Sequence, residues 1–255
     1  MSNTIFYEQP INERMRTFLR LEHLFKQAAY TLRGYSIWDS RSTLSAITSI
    51  LDLLSRNDLK TELLKELERQ EKTLSALSDL AGVDKVQLNN VLKQIKTAQK
   101  NILNVEGQLG QNIRDHELLS TLRQRSSVLG GTCNFDIPYL HYWLQQPPEE
   151  RIEQLEDWIE KLEIISQPIS LILDITRESS SAIEASAEKG FYQKNIDNNS
   201  PVQLIRVGLP QDSEFYPEIS AGKQRFSVRF MLQQNGERAI QTSDDINFKL
   251  ICCAL

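Results

Sequence analysis

The chain has 255 residues, 40% hydrophobic and 25% charged, with a net charge of −5 at neutral pH. That length supports a substantial core in one large or two small domains, and the acidic balance argues against a bulk nucleic-acid binder, which needs a basic domain. No apolar run approaches the roughly 20 residues of a membrane span, and MSNTIFYEQP lacks the build of a signal peptide, so a cytoplasmic protein is expected.

In chain order, NTIFYE (3–8) reads as a short strand closed by Pro10. Asn12 then caps a helix in NERMRTFLRLEHLFKQAAYTL, whose apolar stripe runs Met15, Phe18, Leu19, Phe25, Leu32. Arg16 and Arg20 are one turn apart on it and share a face. Further helical patterns cover 40–56, 59–80, 84–104 and 111–127, the third opening on Asp84 and Gln87 at capping-box spacing. The fourth carries Arg114, Arg123 and Arg125. Gly130-Gly131 turns the chain, Asp136 is expected to cap a short helix ending before Pro147-Pro148, and a long helix follows to about 180, kinked or split at Pro168. Its opening EERIEQLEDWIEKLE (149–163) holds seven acidic and two basic residues, the mark of a solvated face or one that repels a polyanion.

From residue 181 the character changes. SSSAIEASAEKGFYQKNIDNNSP reads as a linker with a strand near Phe191-Tyr192. PVQLIRVGL, EFYPEIS, QRFSVRFMLQ and DINFKLICCAL are short β-type runs separated by turn residues. The expected fold is α+β: a helical domain over 10–180, and a small antiparallel β domain built from 190–255 and closed by the N-terminal strand 1–9.

One β run stands out. In GKQRFSVRFM (222–231), Lys223, Arg225, Ser227 and Arg229 share one face, with about 7 Å between successive same-face positions, while Phe226, Val228 and Phe230 share the other. Arginines so placed suit a carboxylate-rich ligand, because the planar guanidinium pairs carboxylates two bonds at a time. Basic residues also protect exposed sheet edges, and periodicity leaves both readings open. Arg123 and Arg125 are two apart, so one of them is expected to be structural. Cys133, Asp136 and His141 are the residue types of a thiol hydrolase, but the signature motifs of common enzyme families are missing, and no catalytic residue is assigned. Three cysteines (Cys133, Cys252, Cys253) and three histidines (His23, His116, His141) show no ligand spacing, so neither metal nor cofactor is expected.

FYEQPINERMRTFLRLE (6–22), TELLKELERQ (61–70), RQRSSVLGGTCNFDIPYLHYWL (123–144), GFYQ (190–193) and YPEISAGKQRFSVRFM (216–231) closely resemble the ZapD family of cell division proteins. The resemblance spans nearly the whole chain in order. It implies a non-enzymatic, cytoplasmic, mid-cell homodimer with a helical and a β domain. It further implies binding to the C-terminal tail of FtsZ through a basic pocket at the domain junction, and bundling of FtsZ filaments at the Z ring. Position by position, the resemblance carries the tail site onto Arg16, Arg20, Arg123, Arg125, His141, Lys223, Arg225 and Arg229. Arg114 is a weaker member, because Glu117 stands where the family pattern has a basic residue. Apolar tail residues are expected to rest on Phe18 or Tyr216. The competing classes are an anion- or nucleic-acid-binding module and a Cys/His hydrolase.

Overall fold

The computed structural model describes residues 4–56, 58–78, 82–197, 202–234 and 236–255. The parts of the expected elements at Asn3, Asp79, Leu80 and Pro201 lie outside the described residues. The chain divides into two compact units, one of the residues up to Arg16 with Leu173–Leu255, the other of Thr17–Ile172.

The first unit is an antiparallel β sandwich. Strand β1 (Thr4–Pro10) pairs with β4 (Val202–Pro210), β4 with β8 (Ile246–Ala254), and β8 with β2 (Ile183–Ala187). The second sheet runs β3 (Phe191–Asn195), β6 (Arg225–Leu232), β5 (Phe215–Ala221), with β7 (Ile240–Gln241) also on β6. The N-terminal strand thus joins the C-terminal strands, as expected, and the strands form two sheets. IEASA, read as linker, is strand β2: its alternation is weak because Ala and Ser replace the bulky apolar residues that mark a strand. At Gly190 the backbone is left-handed (φ +68°), and an added Cβ would lie 2.6 Å from the Thr242 carbonyl oxygen, so only glycine lets the chain turn from β2 into the other sheet.

The inner faces interlock through Ile205, Val207, Leu209, Phe248 and Leu250 against Phe226, Val228 and Phe230, all essentially buried. Phe230 and Tyr192 meet the Phe248 ring at 5.0 and 5.3 Å between centroids. On the outer face of the first sheet, Glu8 accepts two hydrogen bonds from Arg177 (2.9 and 2.8 Å) and lies 2.9 Å from Arg206 Nε. The Arg206 guanidinium in turn stacks over Phe6. Cys252 and Cys253 are unpaired with each other and face opposite sides of β8.

The second unit is helical. Helix α1 (Glu13–Thr31) leads into α2 (Ile37–Arg56), α3 (Leu59–Ser75), α4 (Lys85–Leu103), α5 (Gln111–Arg114), α6 (Glu117–Arg125), α7 (Pro138–Leu144), α8 (Pro148–Lys161) and α9 (Glu163–Glu178). The caps follow expectation at Asn12, whose Oδ1 accepts from Met15 N, and at Asp84, whose Oδ1 accepts from Val86 and Gln87 N. Three expectations are corrected. The pattern at 111–127 is two helices: Ile113 and Leu118 are both buried, yet five residues apart they would sit about 140° apart on one continuous helix. The break falls at His116, whose ring packs edge-on against Trp158 at 4.8 Å. Asp136 does not cap α7; Ile137 holds that position with Pro138 in the first turn, where a proline needs no N–H partner. The 149–180 helix breaks at Leu162 rather than at Pro168, which lies inside α9 and removes one helix bond.

Arg151, only 4% exposed, ties three of these elements together. It donates to Ser40 Oγ (3.1 Å) and to the carbonyls of Leu144 (2.7 Å), Gln146 (2.9 Å) and Tyr35 (2.9 Å). Those carbonyls lie at the end of α7 and before α2, where helix termini lack internal partners. Arg151→Ala removes the donor from these acceptors, the Leu144 carbonyl among them in a buried bond, and urea unfolding is expected to lose about 1–3 kcal/mol.

Burial raises the Cys253 thiol pKa to about 11. The folded chain therefore holds this proton above the unfolded value near 9. The stability it brings is complete below pH 9 and is lost as pH rises through 11. Unfolding free energy should fall by about 1 kcal/mol between pH 9 and 10 on this account, and Cys253→Ala should flatten that fall.

Candidate functional site

The sandwich fixes which way β6 faces. Phe226, Val228 and Phe230 are buried in the core, so the opposite parity carries Arg225 and Arg229 outward, and both are exposed. Strand β6 is paired on both sides, by β5 along Phe226–Leu232 and by β3 and β7 on the other flank. It is an inner strand, so edge protection does not account for its arginines. Neither guanidinium makes an ion pair among the described residues.

The register names their neighbours. Arg229 lies between Glu218 of β5 and Phe191 of β3, and Arg225 beside Asn195. Tyr216, opposite Met231, shares this outer face and is half-buried, while Phe191 is 39% exposed. Cation, carboxylate and aromatic thus stand in one cross-strand row. Sequence reading missed Glu218 and Phe191, because cross-strand neighbours depend on a register that a single strand does not reveal. The expectation for Phe18 is corrected: it is fully buried and cannot receive a ligand.

Lys223 is not on the strand. It sits in the β5–β6 turn, closed by the Gly222 amide donating to the Arg225 carbonyl (3.0 Å), and is exposed. Burial raises the pKa of the Cys252 thiol while the Lys194 charge works against it, so Lys194 lies near that thiol. Lys194 pairs with Phe226, and Cys252 lies at the end of the first sheet where Pro10 meets Leu204. That is where β1 passes into α1. Arg16, Lys223 and Arg225 therefore share one end of the β unit, with Arg229 about 13 Å further along β6. Arg16 is partly committed, its Nε donating to Glu13 Oε1 at 3.1 Å.

The remaining candidates belong to the helical unit. Arg20 is exposed on α1, one turn beyond Arg16. Arg123 is held: its Nε donates to Asp52 Oδ1 at 2.9 Å and its side chain is 19% exposed. Arg125, the next residue but one, is exposed and makes no ion pair among the described residues. Of the two, Arg123 is the structural one. Arg114 donates to Gln108 Oε1 (2.6 Å), while its Nε and second terminal nitrogen are buried without partners. Burial, and then the nearby Arg123 charge, lower its pKa. Glu117 opens α6 and is exposed, and His141 is exposed in the last turn of α7.

A hollow of about 480 Å³ in this unit is lined by Trp38, Arg41, Leu44, Leu122, Thr132 and Leu140, among others. Arg41 donates to the Thr132 carbonyl and lies 5.6 Å from the Trp38 ring centre. Arg125 and His141 are adjacent in sequence to its lining residues Ser126 and Leu140. Trp38 is 76% exposed, and its out-of-phase position on α2 was the available signal.

No side-chain hydrogen bond joins Cys133, Asp136 and His141 among the described residues; Asp136 meets Cys133 only through a backbone turn bond (3.1 Å), and Cys133 is exposed. Nor do three or more His, Cys, Asp or Glu gather there to hold a metal. No described helix is long and apolar enough to cross a membrane.

A family model described as "Cell division protein", ZapD, matches residues 19–229. Curated relatives named Cell division protein ZapD agree along the full length. One from Methylococcus capsulatus is 41% identical over 100% of both chains. Those from Shigella boydii serotype 4 and Escherichia coli O1:K1 are each 36% identical over 99% of this chain and all of theirs.

The different engagement of two neighbouring arginines sets a test. Arg123→Ala should lower stability by about 1–3 kcal/mol, since it leaves Asp52 unpaired. Arg125→Ala should change it by less than about 0.5 kcal/mol, both read from thermal unfolding.

Proposed function

Because the chain belongs to the ZapD family of cell division proteins, we propose that it binds the acidic C-terminal tail of FtsZ through exposed arginines. As a homodimer it then cross-links FtsZ filaments into bundles at the mid-cell Z ring. Its role is that of a cytoplasmic, non-enzymatic scaffold. The observation that carries this proposal is the outer face of β6, an inner strand that presents Arg225 and Arg229 unpaired and beside exposed Phe191.

Arg225 and Arg229 stand about 13 Å apart on one exposed strand face, far enough that salt screens their mutual repulsion, and each is open to a separate ligand carboxylate. Each charge-assisted hydrogen bond contributes roughly 1.5–3 kcal/mol. Glu218 beside Arg229 sets selectivity: it moderates the positive field, so a tail must bring apolar residues for Phe191 and Tyr216 as well as charge. Lys223 and Arg16, at one end of the same unit, extend the anionic track. In the helical unit, taken by itself, exposed Arg20, Arg125 and His141 are proposed as separate contacts for an acidic ligand, and Arg123, held by Asp52, as a positioning residue.

The site need not be tight. A micromolar contact is worth only about −8 kcal/mol. Two such sites on a dimer, facing filaments that each display many tails, gain the rest from effective concentration.

Arg225→Glu should abolish co-sedimentation with filament bundles while leaving circular dichroism and the oligomeric state unchanged. Wild-type binding to a tail peptide should weaken steeply between about 50 and 300 mM salt, and filaments lacking the tail should not pellet with the protein. Normal bundling by the Arg225→Glu variant would remove β6 from the site.

A further inference from the structure

Two helices of the helical unit carry single-sign charge stripes of matching spacing. Helix α4 holds Lys85, Lys93, Lys96 and Lys100 and no acidic residue. Lys93, Lys96 and Lys100, three and then four apart, lie on one exposed face. Helix α8 presents Glu149, Glu153, Glu156 and Glu160, four, three and four apart, all exposed on one face. Of these seven side chains only Lys96 has an ion pair among the described residues, a loose one to Glu71 at 3.8 Å. Like charges one turn apart on a helix are mutually destabilising, so each stripe is strained in the isolated chain.

The stripes also carry apolar surface. Leu92 and Thr97 join the three lysines around a shallow hollow of about 360 Å³ on α4, and half-buried Ile152 and Ile159 flank the glutamates on α8. The spacings match in either direction. Lys93, Lys96 and Lys100 align with Glu153, Glu156 and Glu160 when the helices run parallel, and with Glu156, Glu153 and Glu149 when they run antiparallel.

We propose that the lysine stripe of α4 docks on the glutamate stripe of α8 in a second copy of this chain. The charge complementarity lies within one sequence, so the copy is the partner the chain itself encodes. Each contact joins two different patches, and two reciprocal contacts close a dimer. The inference supplies an interface for the homodimer of the proposal above and rests on it in that respect, but it uses no residue of the tail site.

Two charge-reversed full-length proteins test it by sedimentation velocity. One carries Lys93→Glu, Lys96→Glu and Lys100→Glu; the other carries Glu149→Lys, Glu153→Lys, Glu156→Lys and Glu160→Lys, so that either direction of alignment is covered. Each alone juxtaposes like charges and should self-associate at least about tenfold more weakly than wild type. Their equimolar mixture restores opposite charges at both contacts and should recover the wild-type species. The neutral Lys93→Gln, Lys96→Gln, Lys100→Gln protein should fall between, which guards against loss of folding in the reversed forms. A monomeric wild type, reversed variants that associate normally, or a mixture that stays dissociated would each overturn the interface. Tail-peptide binding, measured on the same proteins, should be unchanged; its absence from wild type would defeat the tail-binding proposal and leave this one standing.

Discussion

The parity of one strand governs the β unit. Because Phe226, Val228 and Phe230 fill the space between the sheets, β6 has no freedom to rotate, and a one-residue slip would send three aromatic and aliphatic side chains into water. At roughly 1.5–3 kcal/mol for each large side chain buried, the core outweighs any repulsion between Arg225 and Arg229. Their outward placement is therefore paid for by packing on the other side of the same backbone.

The chain treats its cations in two ways. Arg151, Arg177 and Arg206 are built in: the first satisfies carbonyls at helix ends, and the other two converge on Glu8. Arg123 is similarly engaged with Asp52. Arg20, Arg125, Arg225 and Arg229 are exposed, and among the described residues none of them makes an ion pair. A structural arginine is recognisable by buried acceptors that only it can serve, whereas an exposed arginine with no such debt is available to a partner. The same contrast separates the α4 and α8 stripes from the i,i+4 pairs Glu68–Lys72 and Asp157–Lys161, which are already neutralised within their own helices.

Local chemistry was well legible where it is short-ranged. The Asn12 and Asp84 caps, the alternation of β6 and the opposite facing of Cys252 and Cys253 follow from a few adjacent residues, and the structure has them so. What failed did so for identifiable reasons. IEASA hides as a strand because small residues carry little pattern. The break at His116 answers to Trp158, forty-two residues away in sequence, and the break at Leu162 precedes the proline that seemed to demand it. Lys223 left the strand because Gly222 closes a turn there.

The sequence by itself determined the family, the α+β class, the joining of the N-terminal strand to the C-terminal ones, and which residues could alternate in and out. These depend on periodicity, turn residues and motif order, all of which are properties of neighbours along the chain. Only the tertiary structure decided that β6 is an inner strand, that Glu218 and Phe191 flank Arg229, that Asp52 claims Arg123 and not Arg125, and that Phe18 is sealed in the core. Those are contacts between residues far apart in sequence, fixed by sheet register and helix packing, and a linear pattern carries no record of either.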